Sequence, residues 1–170
     1  MSIQATVQTA SMAARDELRV AYNQLALLMA NQSFTNAAIA TATVTSQVKT
    51  TATLTYWIDG SFATNLSATD NFWTLAGTTV AASSWQKYML MVNSSGTASV
   101  LQGTQSTVSA AAVQLPYLPQ SLTCVGVLTV ATDATHTFVP GTTLLGATGI
   151  TATYVNGVDP TSITVIKIGQ

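Results

Sequence analysis

Charged side chains are scarce in this sequence. Of its 170 residues, five are basic and six are acidic, which makes 6% charged residues and a formal net charge of −1. Ordinary soluble domains carry about a quarter charged residues. Five basic residues cannot line a track for phosphates, so nucleic acid is excluded as a partner. Threonine, serine and alanine occupy many of the positions where charged residues would usually occur. Molecules with such a surface repel one another little, which favours a protein that works inside an assembly.

Cysteine and long apolar runs are also missing. The single Cys124 excludes an internal disulfide, so we expect synthesis in a reducing cytoplasm. The longest apolar runs, such as Leu25 to Ala30, are far shorter than the roughly 20 residues of a membrane-spanning helix. No basic start precedes an apolar run near the amino terminus, so no secretion signal is expected. We therefore expect neither a membrane partner nor a secretory route.

The residues that usually carry catalysis are too few to form a site. A glycosidase needs two carboxylates, and those of the β-rich region, Asp59, Asp70, Asp133 and Asp159, lie in or near expected turns and loops. A Ser-His-Asp site would have to use His136, the only histidine, and no G-x-S-x-G elbow is present. A metal site needs three or four ligands. We predict no catalytic residue, no metal and no cofactor, and hence a protein that is not an enzyme.

The amino-terminal part of the sequence divides into an arm and a helix. Residues 1–10 alternate weakly and predict an extended arm, whose apolar members we expect to contact a partner: Ile3, Ala5 and Val7. Ser11 can cap a following helix over residues 11–31. Its apolar residues recur at 4-3-4 spacing, which is typical of a coiled-coil seam or of a helix packed on its own domain: Leu18, Tyr22, Leu25 and Met29. Residues 1–33 are thus predicted to serve attachment and oligomerisation.

From about Phe34 the pattern changes to alternation of threonine with apolar residues. Segments such as "AIATATVTSQV" and "TTATLTYWI" are typical of strands with one covered face. The runs "KYMLMV" and "LTCVGVLTV" predict strands that are buried on both faces. Turn residues separate these segments. We predict a mainly β domain over residues 34–170, an antiparallel sandwich or barrel of jelly-roll type, preceded by the arm and one α-helix.

The stretch "YWIDGSF", residues 56–62, places an aspartate among large aromatic residues. Such a carboxylate could be catalytic. Asp-Gly between alternating apolar residues is, however, the strongest short hairpin signal, because both central positions of the turn need positive φ. We interpret Asp59 and Gly60 as a structural turn. Trp57, Trp73 and Trp85 either belong to the core or form an exposed platform for stacking on sugars.

Several motifs follow one another in an order that resembles a family of virion proteins of tailed bacteriophages. They are "YWIDGSF", "ATDNFWTL", "VAASSWQKYML", "SGTASVLQGT", "LPYLPQSLTCVGVLTV" and "THTFVPGTTLL". The similarity covers roughly residues 50–155, about two thirds of the chain. Members resemble head decoration or head-fibre proteins. The resemblance implies a β-rich, trimeric protein on the outside of a phage head, without catalytic residues.

Composition and resemblance together give the functional hypothesis. We expect a capsid decoration (cement) protein, made in the host cytoplasm and located on the exterior of the virion head. Its partners would be the major capsid protein, or another virion protein, and two further copies of itself. The alternative is a head- or tail-fibre module that binds host-surface glycans.

Overall fold

The computed structural model describes residues 12, 14–23, 26, 30–59, 61–62 and 65–157. Residues 12, 14–23, 26 and 30 are helical and form helix α1. The remaining described residues form a mainly β fold. Its strands are β1 (Gln32–Ser33), β2 (Ile39–Thr41), β3 (Gln47–Thr50), β4 (Tyr56–Ile58), β5 (Ser61–Phe62), β6 (Trp73–Thr74), β7 (Trp85–Asn93), β8 (Ala98–Ser106), β9 (Leu122–Thr132) and β10 (Ile150–Asn156).

These strands form antiparallel sheets, as the alternating pattern predicted. The largest sheet has the order β10-β9-β7-β8, and two smaller sheets have the orders β1-β4-β5 and β2-β3-β6. The fold is therefore mainly β and consistent with a sandwich, with the helix placed before it. Strand β1 pairs with β4, so the first strand begins at Gln32, two residues before the point where the sequence interpretation began the β domain.

The main core lies on one face of the largest sheet. Tyr88, Leu90 and Leu128 of this sheet pack there with Tyr56 and Trp73 of the smaller sheets, all of them fully buried. Side chains two residues apart on a strand share a face, which explains why Gln86 and Tyr88 point inward while Trp85 and Lys87 point outward. The core thus holds the three sheets together.

A second, smaller core covers part of the opposite face. Met89 and Met91 of β7 and Val127 of β9 are buried beneath Leu118 of the segment that connects β8 to β9. This segment contains a short 3-10 helix, Ala110–Ala112, and the two prolines of "LPYLP". Strands β7 and β9 are therefore covered on both faces over half their length, as their apolar runs predicted. The rest of this outer face is open.

Candidate functional site

Helix α1 exposes two of the four apolar residues that the sequence predicted as a seam. Leu18 is 71% exposed and Tyr22 is 69% exposed, and the two lie one turn apart on the same side of the helix. Residues 14–20 are exposed without exception. The other predicted seam residues, Leu25 and Met29, and the arm residues Ile3, Ala5 and Val7 lie outside the described residues. Within one chain, Leu18 and Tyr22 have no apolar cover from the described part of the molecule.

The charges on the helix contribute little to its stability. Arg19 and Asp16 approach to 3.8 Å across one turn, but both side chains are more than 70% exposed. Exposed ion pairs are typically worth about 0.2–1 kcal/mol. In proteins, most of the stability of a helix comes from the packing of an apolar face against a neighbour. The exposed apolar side chains of this helix are therefore available to pack against another surface.

A shallow depression lies where the helix meets the β region. Asn23, Ala26 and Ala30 of the helix line it together with Gln120 of the β8–β9 connection, and its volume is about 390 Å³. These four side chains are neutral and offer neither a nucleophile nor an acid–base pair. The depression lies at the contact between the helix and the β region, and these four side chains do not form a catalytic site.

Asp59 lies in the hairpin that joins β4 to β5. Ile58 pairs with Ser61, and Asp59 follows Ile58 directly in the connection between the two strands. Asp59 has φ of 52°, and its main-chain N–H donates a 2.8 Å hydrogen bond to Oδ1 of Asn31. Aspartate tolerates this left-handed conformation better than most residues. Gly60, the second predicted turn residue, lies outside the described residues.

Two of the other candidate carboxylates organise loops, and the last candidate, Asp159, lies outside the described residues. Oδ1 of Asp70 accepts a 3.0 Å hydrogen bond from the main-chain N–H of Thr43. Oδ1 of Asp133 accepts from the main-chain N–H groups of Thr135 and His136, each at 2.8 Å, and also lies 2.8 Å from His136 Nδ1. These hydrogen bonds lower the pKa of the Asp133 carboxyl well below its usual range. Both carboxylates thus act as acceptors within their loops.

The three tryptophans do not form one platform. Trp73 is 1% exposed and belongs to the main core, whereas Trp57 and Trp85 are partly exposed. Trp57 is in β4 and Trp85 in β7, which belong to different sheets. Sequence alternation could not separate these cases, because it assigns residues to faces without showing which face a distant segment covers. Of the three, only Trp85 lies on the outer face of the largest sheet.

Comparison of the chain with protein-family models, with curated protein sequences and with solved structures finds no match. In the described part of the chain, no group of three or more His, Cys, Asp or Glu side chains is placed to hold a metal ion. The same residues contain no helix with the length and apolar character of a membrane span.

Proposed function

We propose that the protein is a virion structural protein of a tailed bacteriophage, a decoration protein that binds the outer head surface as a homotrimer. One observation carries the proposal: helix α1 presents Leu18 and Tyr22 to solvent, on a single face, with no partner among the described residues. A seam of this kind is completed by copies of the same helix around a symmetry axis.

Burial of the seam supplies a clear driving force. Fully burying a leucine side chain is worth about 1.5–3 kcal/mol, and a three-fold arrangement buries Leu18 and Tyr22 in each of three chains. Weak single contacts to a shell then add up, because linked sites raise avidity by about 10² or more. In this proposal the arm, with Ile3, Ala5 and Val7, adds a strand to an edge of the major capsid protein.

The composition supports a role within an assembly. The chain has eleven charged residues in 170, and four of them lie at positions 15–19 on the helix. Contacts through the β region are therefore mostly uncharged, and we expect them to depend little on salt. The motifs that resemble phage head proteins supply the specific assignment to the virion, as an expectation from sequence similarity.

The native mass of the full chain tests the oligomer. We expect about three times the chain mass of 17.6 kDa in light scattering. Leu18→Asp combined with Tyr22→Asp should give monomers, because the buried carboxylates of three chains would repel one another at the axis. Val20→Asp is the matched control, since Val20 lies on a different side of the same helix, and it should remain trimeric. A wild-type monomer, or a trimer that survives the double change, would contradict the helical seam.

A second measurement tests the location. Mass spectrometry of purified particles of the phage that encodes the chain should detect it at a copy number in proportion to the head lattice. Particles assembled with the Leu18→Asp, Tyr22→Asp chain should carry much less of it. Recovery of equal amounts of both chains would mean that trimerisation is not needed for attachment. Absence of the wild-type chain from particles would overturn the proposed function.

A further inference from the structure

The outer face of the largest sheet contains an open area that the second core does not cover. Strand register aligns its side chains in two rows. The upper row is Trp85, Ala131 and Thr151, and the lower row is Lys87, Thr129 and Thr153. Residues directly opposite on antiparallel strands point to the same side of the sheet. We call these six residues the open face.

The polar groups of the open face have no partners within the described chain. The hydroxyls of Thr129, Thr151 and Thr153 form no hydrogen bond with any described residue, and neither does the indole N–H of Trp85. Thr151 and Thr153 are exposed, and the tryptophan is partly exposed. The open face therefore combines free hydroxyl groups, which can form hydrogen bonds with a ligand, with the apolar ring of Trp85.

Lys87 gives the open face a single positive charge. Its ammonium group makes no ion pair with a described residue, although the side chain is half-buried between its neighbours. Burial lowers the pKa of Lys87 below its ordinary value, because desolvation disfavours the charged form. A carboxylate placed beside this ammonium would compensate the loss of water. The face is therefore complementary to a ligand with one negative charge.

The size of the open face favours a small ligand over a protein. Three neighbouring strands at a spacing of about 4.8 Å span roughly 10 Å, and two rows add about 7 Å along the strands. A stable protein interface needs about 800 Å² from each partner, several times this area. The 3-10 helix Ala110–Ala112 lies beside β7, and the second core lies below, so two sides are bounded. One or two sugar rings fit such an area.

We propose that the open face binds a glycan with a carboxylated sugar. The sugar ring stacks on Trp85, its hydroxyl groups bond with Thr129, Thr151 and Thr153, and its carboxylate pairs with the ammonium of Lys87. Aromatic rings favour such stacking through apolar contact, while the paired charge sets the preference among glycans. This proposal does not depend on the helical seam, because all six residues belong to the β region.

Titration calorimetry of the full chain tests the proposal with two acidic probes, sialyllactose and trigalacturonate, and with lactose as the neutral control. We expect saturable binding of at least one acidic probe, at least ten-fold tighter than any binding of lactose. Lys87→Gln should remove this preference. Trp85→Ala should weaken binding ten-fold or more, whereas Trp85→Phe should retain most of it and shows that the fold is intact.

A negative charge introduced on the exposed surface gives a test that does not disturb the core. Thr153→Glu places a carboxylate in the same row as Lys87, on the far side of Thr129, where it would repel the carboxylate of the bound sugar and should abolish binding of the acidic probe. Thr45→Glu is the matched control, because Thr45 is exposed in the connection between β2 and β3, and it should bind like the wild-type chain. Absence of binding by both acidic probes, or equal loss in both glutamate variants, would overturn the proposal. If Trp85 were shielded from solvent in the trimer without any glycan present, the open face would instead be assigned to contact with a second copy of the chain.

Discussion

The indole Nε1 of Trp73 donates a 2.9 Å hydrogen bond to the main-chain carbonyl of Met91. The bond is buried and connects β6, in a three-stranded sheet, with β7, one of the two central strands of the largest sheet. Val48 pairs with Trp73 in the same small sheet, so the hydrogen bond fixes the position of that sheet over the main core. The Trp73 side chain thereby connects the two sheets both by its packing in the main core and by its hydrogen bond.

We expect Trp73→Phe to lower the free energy of unfolding by about 2–4 kcal/mol. The change leaves the Met91 carbonyl without its donor, which costs about 1–3 kcal/mol, and it leaves a cavity in the core. Trp85→Phe is the matched control, and we expect a loss of about 1 kcal/mol or less because Trp85 is partly exposed. Urea denaturation followed by circular dichroism measures both. Equal losses in the two variants would show that the hydrogen bond between the sheets is unimportant.

Gly126 provides a second test of close packing between the sheets. A Cβ atom at this position would lie 2.6 Å from Cδ1 of Ile39 and 2.6 Å from the main-chain oxygen of Val155. The oxygen cannot move without distortion of β10. We expect Gly126→Ala to destabilise the protein by about 1–3 kcal/mol, as overpacking of a core does.

Gly146→Ala is the control for this substitution. A Cβ atom at Gly146 would meet no atom within 4 Å, and the φ angle of this residue is not positive. Alanine there restricts the unfolded chain, so the variant should be neutral or stabilised by about 0.4–1 kcal/mol. Thermal unfolding of both variants separates the effects. A Gly126→Ala protein as stable as Gly146→Ala would contradict the close contact of Gly126 with β10.

The features that were predictable from sequence are those set by local chemistry. The Asp-Gly pair indicates a two-residue connection because few residues tolerate positive φ, and the apolar runs of β7 and β9 indicate burial on both faces. The exposure of Leu18 and Tyr22 and the burial of Trp73 were not predictable in this way. Both depend on which distant segment covers a face, and the periodicity of a helix or strand contains no information about that.

Substitution at Asp59 tests whether the turn requires the backbone conformation or the carboxylate. Asn also tolerates the left-handed conformation, so we expect Asp59→Asn to change the free energy of unfolding by less than about 0.5 kcal/mol. Asp59→Val places a β-branched residue at φ of 52° and should cost about 1–2 kcal/mol. Thermal unfolding measures both. A large loss of stability in Asp59→Asn would mean that the carboxylate itself, and not the backbone conformation, is required.

Cys124 should be inert in the native protein. Burial raises the pKa of its thiol to about 12, and Sγ lies 3.6 Å from the main-chain oxygen of Gly126. Because the thiolate is the reactive form, a maleimide at about pH 7.5 should label Cys124 only after unfolding in urea. Thr45→Cys introduces an exposed thiol as a control, and its label should appear within minutes. Rapid labelling of both thiols in the native protein would show that the second core opens readily.

Asp133 should make the stability of the protein depend on pH in the acidic range. Its folded pKa is lowered by hydrogen bonds from the main chain at Thr135 and from His136, relative to about 3.9 in the unfolded chain. A group with a lowered folded pKa stabilises the fold above the unfolded value, and this contribution is lost as pH falls through the folded value. The difference in melting temperature between the wild-type protein and Asp133→Asn should therefore be greatest near neutral pH and shrink below about pH 4. Thr135→Val, which removes one hydroxyl donor and keeps the main-chain donors, should retain most of the pH dependence. A constant difference from about pH 7 to about pH 2.5 would mean that the loop is held by hydrogen-bond geometry alone and that the charge of Asp133 contributes nothing.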